Sequence, residues 1–168
     1  MEKVAKTGGK RPKYIKPQSI RDFEERYSEW EYRGRSIPEH CRVVTKFRDD
    51  TAPHLEKLII AYGRMMGWCL SKISTTGVYR DGSKVVTDCL GNRRVIGSGK
   101  WTKGGATLGV ADVTGVIGGR YVEIEVKIGR DRQREDQRAH QLQVEAAGGK
   151  YIIVKSFDDF LSKINGIL

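Results

Sequence analysis

Cysteine and histidine are scarce in this chain, and each shortage removes a class of chemistry. Cys41, Cys69 and Cys89 are odd in number and none belongs to a CxxC pair. That pattern excludes a disulfide framework or cysteine-based zinc site and points to free thiols in a reducing compartment. Histidines at 40, 54 and 140 have neither metal-site spacing nor the makings of a Ser/His/Asp triad, and His40-Cys41 stands as an isolated pair. No apolar run approaches the roughly 18 residues that suggest a bilayer span, and no secretory h-region is present. The expectation is a soluble, cytoplasmic protein with no membrane partner. There is no P-loop and no GxGxxG fingerprint opening a helix, and there are no internal repeats.

Acid is also in short supply. Against 31 Lys and Arg stand 21 Asp and Glu, a formal net charge of +10 in 168 residues. The excess implies a polyanionic partner, most simply nucleic acid, or else a generally basic surface. The length suits one domain with an extension. Residues 1–18 read as a flexible basic arm, in which Lys10, Arg11, Lys13 and Lys16 are positioned to lie along phosphates or simply to be solvated. Residues 19–50 read as a helical extension and 51–168 as the core.

The stretch GVADVTGVIGGRYVEIEVK, Gly109 to Lys127, organises that core. Two β-branched runs, Val113 to Ile117 and Arg120 to Val126, flank Gly118-Gly119, a pair suited to a type I′ hairpin turn. A two-residue turn fixes the register and places Asp112 opposite Glu125. Alternation along the second strand puts Tyr121, Glu123, Glu125 and Lys127 on one face and Val122, Ile124 and Val126 on the other, the core face. Facing carboxylates repel unless something lies between them. A divalent cation is the usual remedy, and Mg²⁺ characteristically takes carboxylates, water and phosphate. The competing reading is a solvated hairpin whose charges prevent aggregation.

Around this hairpin the periodicity predicts a helix over Ser19–Arg33, N-capped by Ser19, with Ile20, Phe23, Tyr27 and Trp30 as its stripe. A short strand is expected within Arg42–Phe47. The clearest helix is Pro53–Met66, capped by Thr51 and stopped by Gly67, and a strand follows over Trp68–Ser74. Residues 75–107 are rich in Gly, Lys and Arg, and a small hairpin is expected between Lys84–Cys89 and Arg93–Gly97. Lys72, Arg80, Lys84, Arg93, Arg94, Lys100 and Lys103 form a candidate phosphate-contacting rim, with Trp101 either stacking on a base or half-buried. A helix over Arg132–Ala147, a strand over Lys150–Lys155 and a helix over Phe157–Ile164 capped by Ser156 complete the chain.

Asp112, then Glu125-Val126-Lys127 after a short hairpin, resembles the PD-(D/E)XK nuclease signature. The glycine before the Asp, the IEVK string, the helical Gln137 and Gly148-Gly149 before a strand are similar to its VRR-NUC branch, over roughly residues 51 to 160. Ala111 replaces the proline that often precedes the first Asp. The resemblance implies an α/β fold with a restriction-endonuclease-like core, a mixed central sheet flanked by helices. It further implies Mg²⁺- or Mn²⁺-dependent hydrolysis of DNA phosphodiesters. Asp112, Glu125 and the Val126 backbone carbonyl would hold the ion, Lys127 would act in catalysis, and Gln137 would orient water or Lys127. The family's glutamate at the start of the preceding helix falls on His54 here. Glu56, about 200° further round that helix, is a candidate third ligand that should point away.

The functional expectation is a structure-specific endonuclease for branched or flap DNA, similar to Holliday-junction resolvases, in a bacterial or phage-infected cell. A homodimer, RNA as substrate and a nucleoid location stay open. The alternatives are a restriction-type endonuclease, disfavoured by the lack of a separate recognition domain, and a non-catalytic nucleic-acid-binding protein that keeps the fold. A pure binder has no need of the acid, acid and lysine set.

Overall fold

A computed structural model describes residues 13–74, 77–102, 104–105 and 107–167. The order of elements is α1 (Gln18–Tyr32), α2 (Ala52–Met65), β1 (Cys69–Lys72), β2 (Val78–Arg80), β3 (Lys84–Thr87), β4 (Arg93–Ile96), β5 (Lys100–Thr102), β6 (Val113–Ile117), β7 (Arg120–Val126), α3 (Glu135–Ala146), β8 (Lys150–Val154) and α4 (Phe157–Asn165). A four-stranded sheet runs β1-β6-β7-β8. Its first two pairings are antiparallel and the last, β7 with β8, is parallel. The fold is therefore mixed α/β with a mixed central sheet.

The β6-β7 hairpin forms as its turn chemistry demands. Gly118 and Gly119 take φ of 55° and 80°, the positive values that a type I′ turn needs. Ile117 pairs with Arg120, and the ladder runs in that register to Val113 opposite Ile124. Val113, Ile117, Val122 and Ile124 are fully buried on the core face. α2 packs against β1 and β7, α4 against β8, and α1 against both helices. The aromatic stripe of α1 goes into this same core: Phe23 meets Tyr27, Phe47, Tyr62 and Phe157 at centroid distances of 5.2–5.6 Å. A fully buried side chain of this size contributes roughly 1.5–3 kcal/mol, so α1 is part of the hydrophobic core.

Several boundaries differ from the sequence reading. α1 starts at Gln18 with Pro17 in the cap position, so Ser19 lies in the first turn and its hydroxyl is buried without a partner. Residues 42–47 form no strand. They are pinned by a side chain, since the carboxylate of buried Glu24 accepts the Phe47 N–H at 2.6 Å. α3 starts at Glu135, where the Gln137 side chain turns back to accept the Arg134 N–H at 3.0 Å. The strand after α2 is limited to Cys69–Lys72, the length over which β6 faces it. Thr51 and Ser156 take the cap positions expected of them, and the Ser156 hydroxyl accepts from Asp159 N.

The basic arm falls largely outside the described residues. Its described end is tied to the core: Tyr14 donates to Asp49 at 2.8 Å, and Lys16 lies 2.5 Å from Glu24. Among the described residues no helix is long and apolar enough to cross a membrane.

Gly115 shows how closely β1 approaches β6. A Cβ there would stand 1.9 Å from the Cys69 carbonyl oxygen, which is backbone and cannot swing aside. Gly115→Ala is expected to cost about 3 kcal/mol, the upper end of ordinary overpacking, measured as a lowered urea midpoint by far-UV circular dichroism.

Candidate active site

Three charged residues stand in a row on β7 and its end, and all are buried: Glu123, Glu125 and Lys127 are 1%, 2% and 5% exposed. Strand alternation sends them to the face opposite the main core. There α3 and the chain leading into β6 cover them, with Ala111, Val144 and Tyr151 as a small apolar cluster beside them. A solvated charged hairpin does not describe this face. Burying charge is costly unless each group is paired and hydrogen-bonded, so the partners of each define the site.

Glu125 Oε1 accepts from the Gln137 amide at 2.5 Å and lies 2.8 Å from Lys127 Nζ; Oε2 accepts the Tyr151 hydroxyl at 3.4 Å. Gln137 is fixed at both ends, because its carbonyl oxygen also caps α3. Lys127 Nζ lies 3.4 Å from Asp131 as well. Asp112 sits where β6 begins. Its backbone carbonyl accepts Ile73 N–H at 2.8 Å, and its side-chain Oδ2 accepts Val126 N–H at 3.0 Å. Asp112 is thereby held at the end of β7 beside Glu125. A cleft of about 660 Å³ opens here, lined by Asp112, Glu125, Val126, Lys127, Asp131 and Gln137.

The electrostatics follow from this packing. Burial pushes the Glu125 carboxyl above its usual value, and the charge of Asp112 adds to the rise; Lys127 and Gln137 offset it only in part. Burial pulls the Lys127 ammonium down, but its bond to Glu125 and the charges of Glu125 and Asp131 outweigh this and hold it above the ordinary lysine value. Burial, with Glu125 as the nearest charge, raises the Tyr151 phenol, which stays protonated as a donor.

Glu123 forms a second cluster that the sequence reading assigned no role. It accepts from Ala111 N–H at 3.2 Å and Tyr121 hydroxyl at 2.8 Å, and both its oxygens lie 3.0 Å from His140 Nε2. It thus ties the residue before Asp112 to the helix that carries Gln137. A signal was present: Glu123 shares the strand face of Glu125, and His140 is three residues beyond Gln137 on one helix face. Gln141, the other neighbour of Gln137 by spacing, bonds instead to Gln133 and Glu145.

Of the predicted site residues, the fold brings Asp112, Glu125, Val126, Lys127 and Gln137 together. Glu56 lies elsewhere: it is buried in a different cavity of about 360 Å³ and its Oε2 is 2.5 Å from Lys72 Nζ. Lys72, expected to contact phosphate, is therefore engaged with Glu56. His54, in place of the family's glutamate, pairs with Asp50 at 2.8 Å on the surface. Among the described residues no three His, Cys, Asp or Glu side chains converge in the manner of a metal site. Asp112 and Glu125 are the two acids that share the cleft. Lys13 is exposed, as are Arg80, Arg93, Arg94 and Lys100. Lys10, Arg11 and Lys103 lie outside the described residues.

A scan of the sequence against protein-family models finds no match, and no curated protein matches it.

The raised Glu125 value sets a stability sign. The folded state binds that proton more tightly than the unfolded chain, so the carboxylate costs nothing below the usual value of 4.5 and destabilises increasingly as pH rises through the folded-state value. Lys127 has the same pH sign in a higher window: its raised value contributes stability that is fully present below 10.5 and lost as pH rises through the folded-state value. Asp112→Asn removes the like charge. The Glu125 carboxyl, followed by carbon-13 NMR, is expected to titrate nearer its usual value, with a smaller loss of stability above pH 4.5. An unchanged midpoint would show that burial alone sets it.

Proposed function

We propose that this chain is a divalent-metal-dependent DNA nuclease with a restriction-endonuclease-like core, acting on branched or flap DNA. One observation carries the reading: Asp112, Glu125 and Lys127, predicted from their order along the chain, meet in one cleft at the end of the hairpin, with Gln137 bonded to Glu125. The element order supports the same core, since α2, β1, the β6-β7 hairpin, α3 and the parallel strand β8 follow one another as the resemblance requires. Cutting both arms of a branch calls for two active sites, so the proposed working form is a homodimer.

The donor set fits a hard cation. It consists of oxygen atoms alone, and the like charge of Asp112 against Glu125 is the repulsion that such an ion would relieve. Asp112, Glu125 and the Val126 carbonyl would hold Mg²⁺ or Mn²⁺. Bound there, the ion would supply Lewis acidity toward a phosphate and an acidified water. The protein's own groups do the rest. Gln137 and Tyr151 fix the Glu125 carboxylate from two sides, while Val126 N–H fixes that of Asp112. Lys127, kept charged by Glu125 and Asp131, presents an ammonium to the negative charge that develops on phosphate in the transition state.

Linear, nicked, flap and four-way-junction DNAs, each incubated with Mg²⁺, Mn²⁺ or EDTA, test the reading directly. Asp112→Ala and Glu125→Gln, the latter keeping a hydrogen-bonding side chain beside Lys127 and Gln137, are expected to abolish cleavage and to weaken Mn²⁺ binding in calorimetry, with the fold intact by circular dichroism. Wild-type cleavage by either variant would remove the site assignment.

Lys127→Ala is expected to slow single-turnover cleavage by roughly 10²–10³-fold while DNA affinity changes little, because affinity is spread over many phosphate contacts. Lys127→Arg should rescue only in part, since a planar guanidinium does not replace a compact ammonium in a close-fitting site. A normal rate constant with a shifted Kd would leave the non-catalytic binder as the better account.

A further inference from the structure

Residues 78–102 form two aligned two-stranded ladders, one continuing the line of the other. β2 pairs with β5 from Val78 opposite Thr102 to Arg80 opposite Lys100, and β3 pairs with β4 from Lys84 opposite Ile96 to Thr87 opposite Arg93. Stepping one residue along each strand carries the first ladder into the second, so the two share one register. The joint between them, Asp81–Ser83 across from Gly97–Gly99, is held close. A Cβ on Gly97, which has φ of 94°, would stand 2.6 Å from the Gly82 carbonyl oxygen. Each strand of the whole spans ten residues, about 33 Å at the usual rise.

This ribbon buries almost nothing. Every residue of β2, β3, β4 and β5 is exposed, including Tyr79, Val85, Val95, Ile96 and Trp101 at 56–70%. A lone two-stranded ribbon is marginal in water, and exposed apolar surface on this scale marks an interaction site. Its charge names the partner. Arg80 stands directly across from Lys100, a like-charge pair that is unfavourable without an anion to share. Lys84 and Arg94 share one face of the outer half, and none of these cations has an acidic partner among the described residues. The two acids of the ribbon are spent on backbone: Asp81 accepts Ser83 N–H, and Asp88 accepts Leu90 N–H and Asn92 N–H. Two such ribbons would repel each other, which disfavours a second copy of this chain as the partner.

We infer that residues 78–102 form a groove-reading β-ribbon that enters the major groove of duplex DNA and holds it against the cleft. The groove of B-form DNA, about 12 Å wide, admits a two-stranded ribbon, whereas that of A-form RNA is too deep and narrow. The ribbon's reach is close to one helical turn, about 34 Å. Its base is continuous with the cleft, since Gly77, Trp101 and Gly104 line the same space as Asp112 and Glu125. The orientation of the duplex toward the cleft rests on the nuclease reading; groove binding by the ribbon does not.

The test is equilibrium binding in EDTA, read by fluorescence anisotropy on a 30-base-pair DNA duplex across a salt series. Lys84→Ala with Arg94→Ala is expected to weaken binding about ten-fold and to flatten the log–log salt slope by about 1.8, two counterion contacts' worth. Deleting residues 83–97, which joins Gly82 to Ser98, should weaken it further. Filling the major groove with glucosylated hydroxymethylcytosine should lower wild-type binding to the level of the deletion and leave the deletion variant unaffected. Duplex RNA of the same sequence should bind poorly to all forms. Unchanged affinity and slope in the double variant, or equal binding to the glucosylated duplex, would overturn the inference. So would a wild-type dimer that becomes monomeric on deletion while DNA binding is kept, which would make the ribbon a self-association arm. No arm depends on cleavage, so loss of the ribbon and loss of the nuclease reading are separate results.

Discussion

The structure depends on accommodating the side chains of Glu123, Glu125 and Lys127 inside the protein. Placing three such groups on one buried strand face is unfavourable unless each finds partners, and the surroundings of β7 supply them. α3 contributes Gln137 to Glu125 and His140 to Glu123, β8 contributes Tyr151, and the chain entering β6 contributes Ala111 N–H. Without this row, α3 would have little to hold it, since only Val144 of that helix is buried. The polar face therefore positions the helix as much as the helix covers the face.

The opposite face of the sheet does the complementary work. Val122, Ile124 and Val126 enter a core closed by α1, α2 and α4, in which aromatic rings from four segments meet. That core fixes the backbone of β7 rigidly, and a rigid strand fixes the spacing of the charged row. Asp112 is held by its backbone carbonyl, which accepts from Ile73 just past β1, and by its side-chain Oδ2, which accepts from Val126 of β7, so the hairpin register determines where its carboxylate lies. Away from this two-sided centre, every residue of β2, β3, β4 and β5 is exposed.

Periodicity and turn chemistry were strong guides where one interaction dominates. Gly118-Gly119 between β-branched runs specified both hairpin and register, and the i, i+3, i+4 stripe specified α2. They failed where a distant side chain sets local structure. Residues 42–47 are shaped by Glu24, a helical acid with no sequence-local relation to them. Helix α3 starts where the Gln137 side chain reaches back to Arg134. The pairing of β2 with β5 was not foreseen because three residues on each strand interrupt the ladder at a glycine-rich joint.

The sequence by itself determined the hairpin, its register, and the strand face shared by Glu123, Glu125 and Lys127, because a two-residue turn and strict alternation leave the backbone no other choice. It also determined that Glu56, two residues beyond His54 on a helix, would point away from that face. Only the tertiary structure decided that the charged face is buried, that Glu123 pairs with His140, and that Lys16 and Lys72 are engaged by carboxylates. Burial and ion pairing between elements depend on which helix covers which face, and that is settled by the packing of the whole chain, to which a local pattern carries no reference.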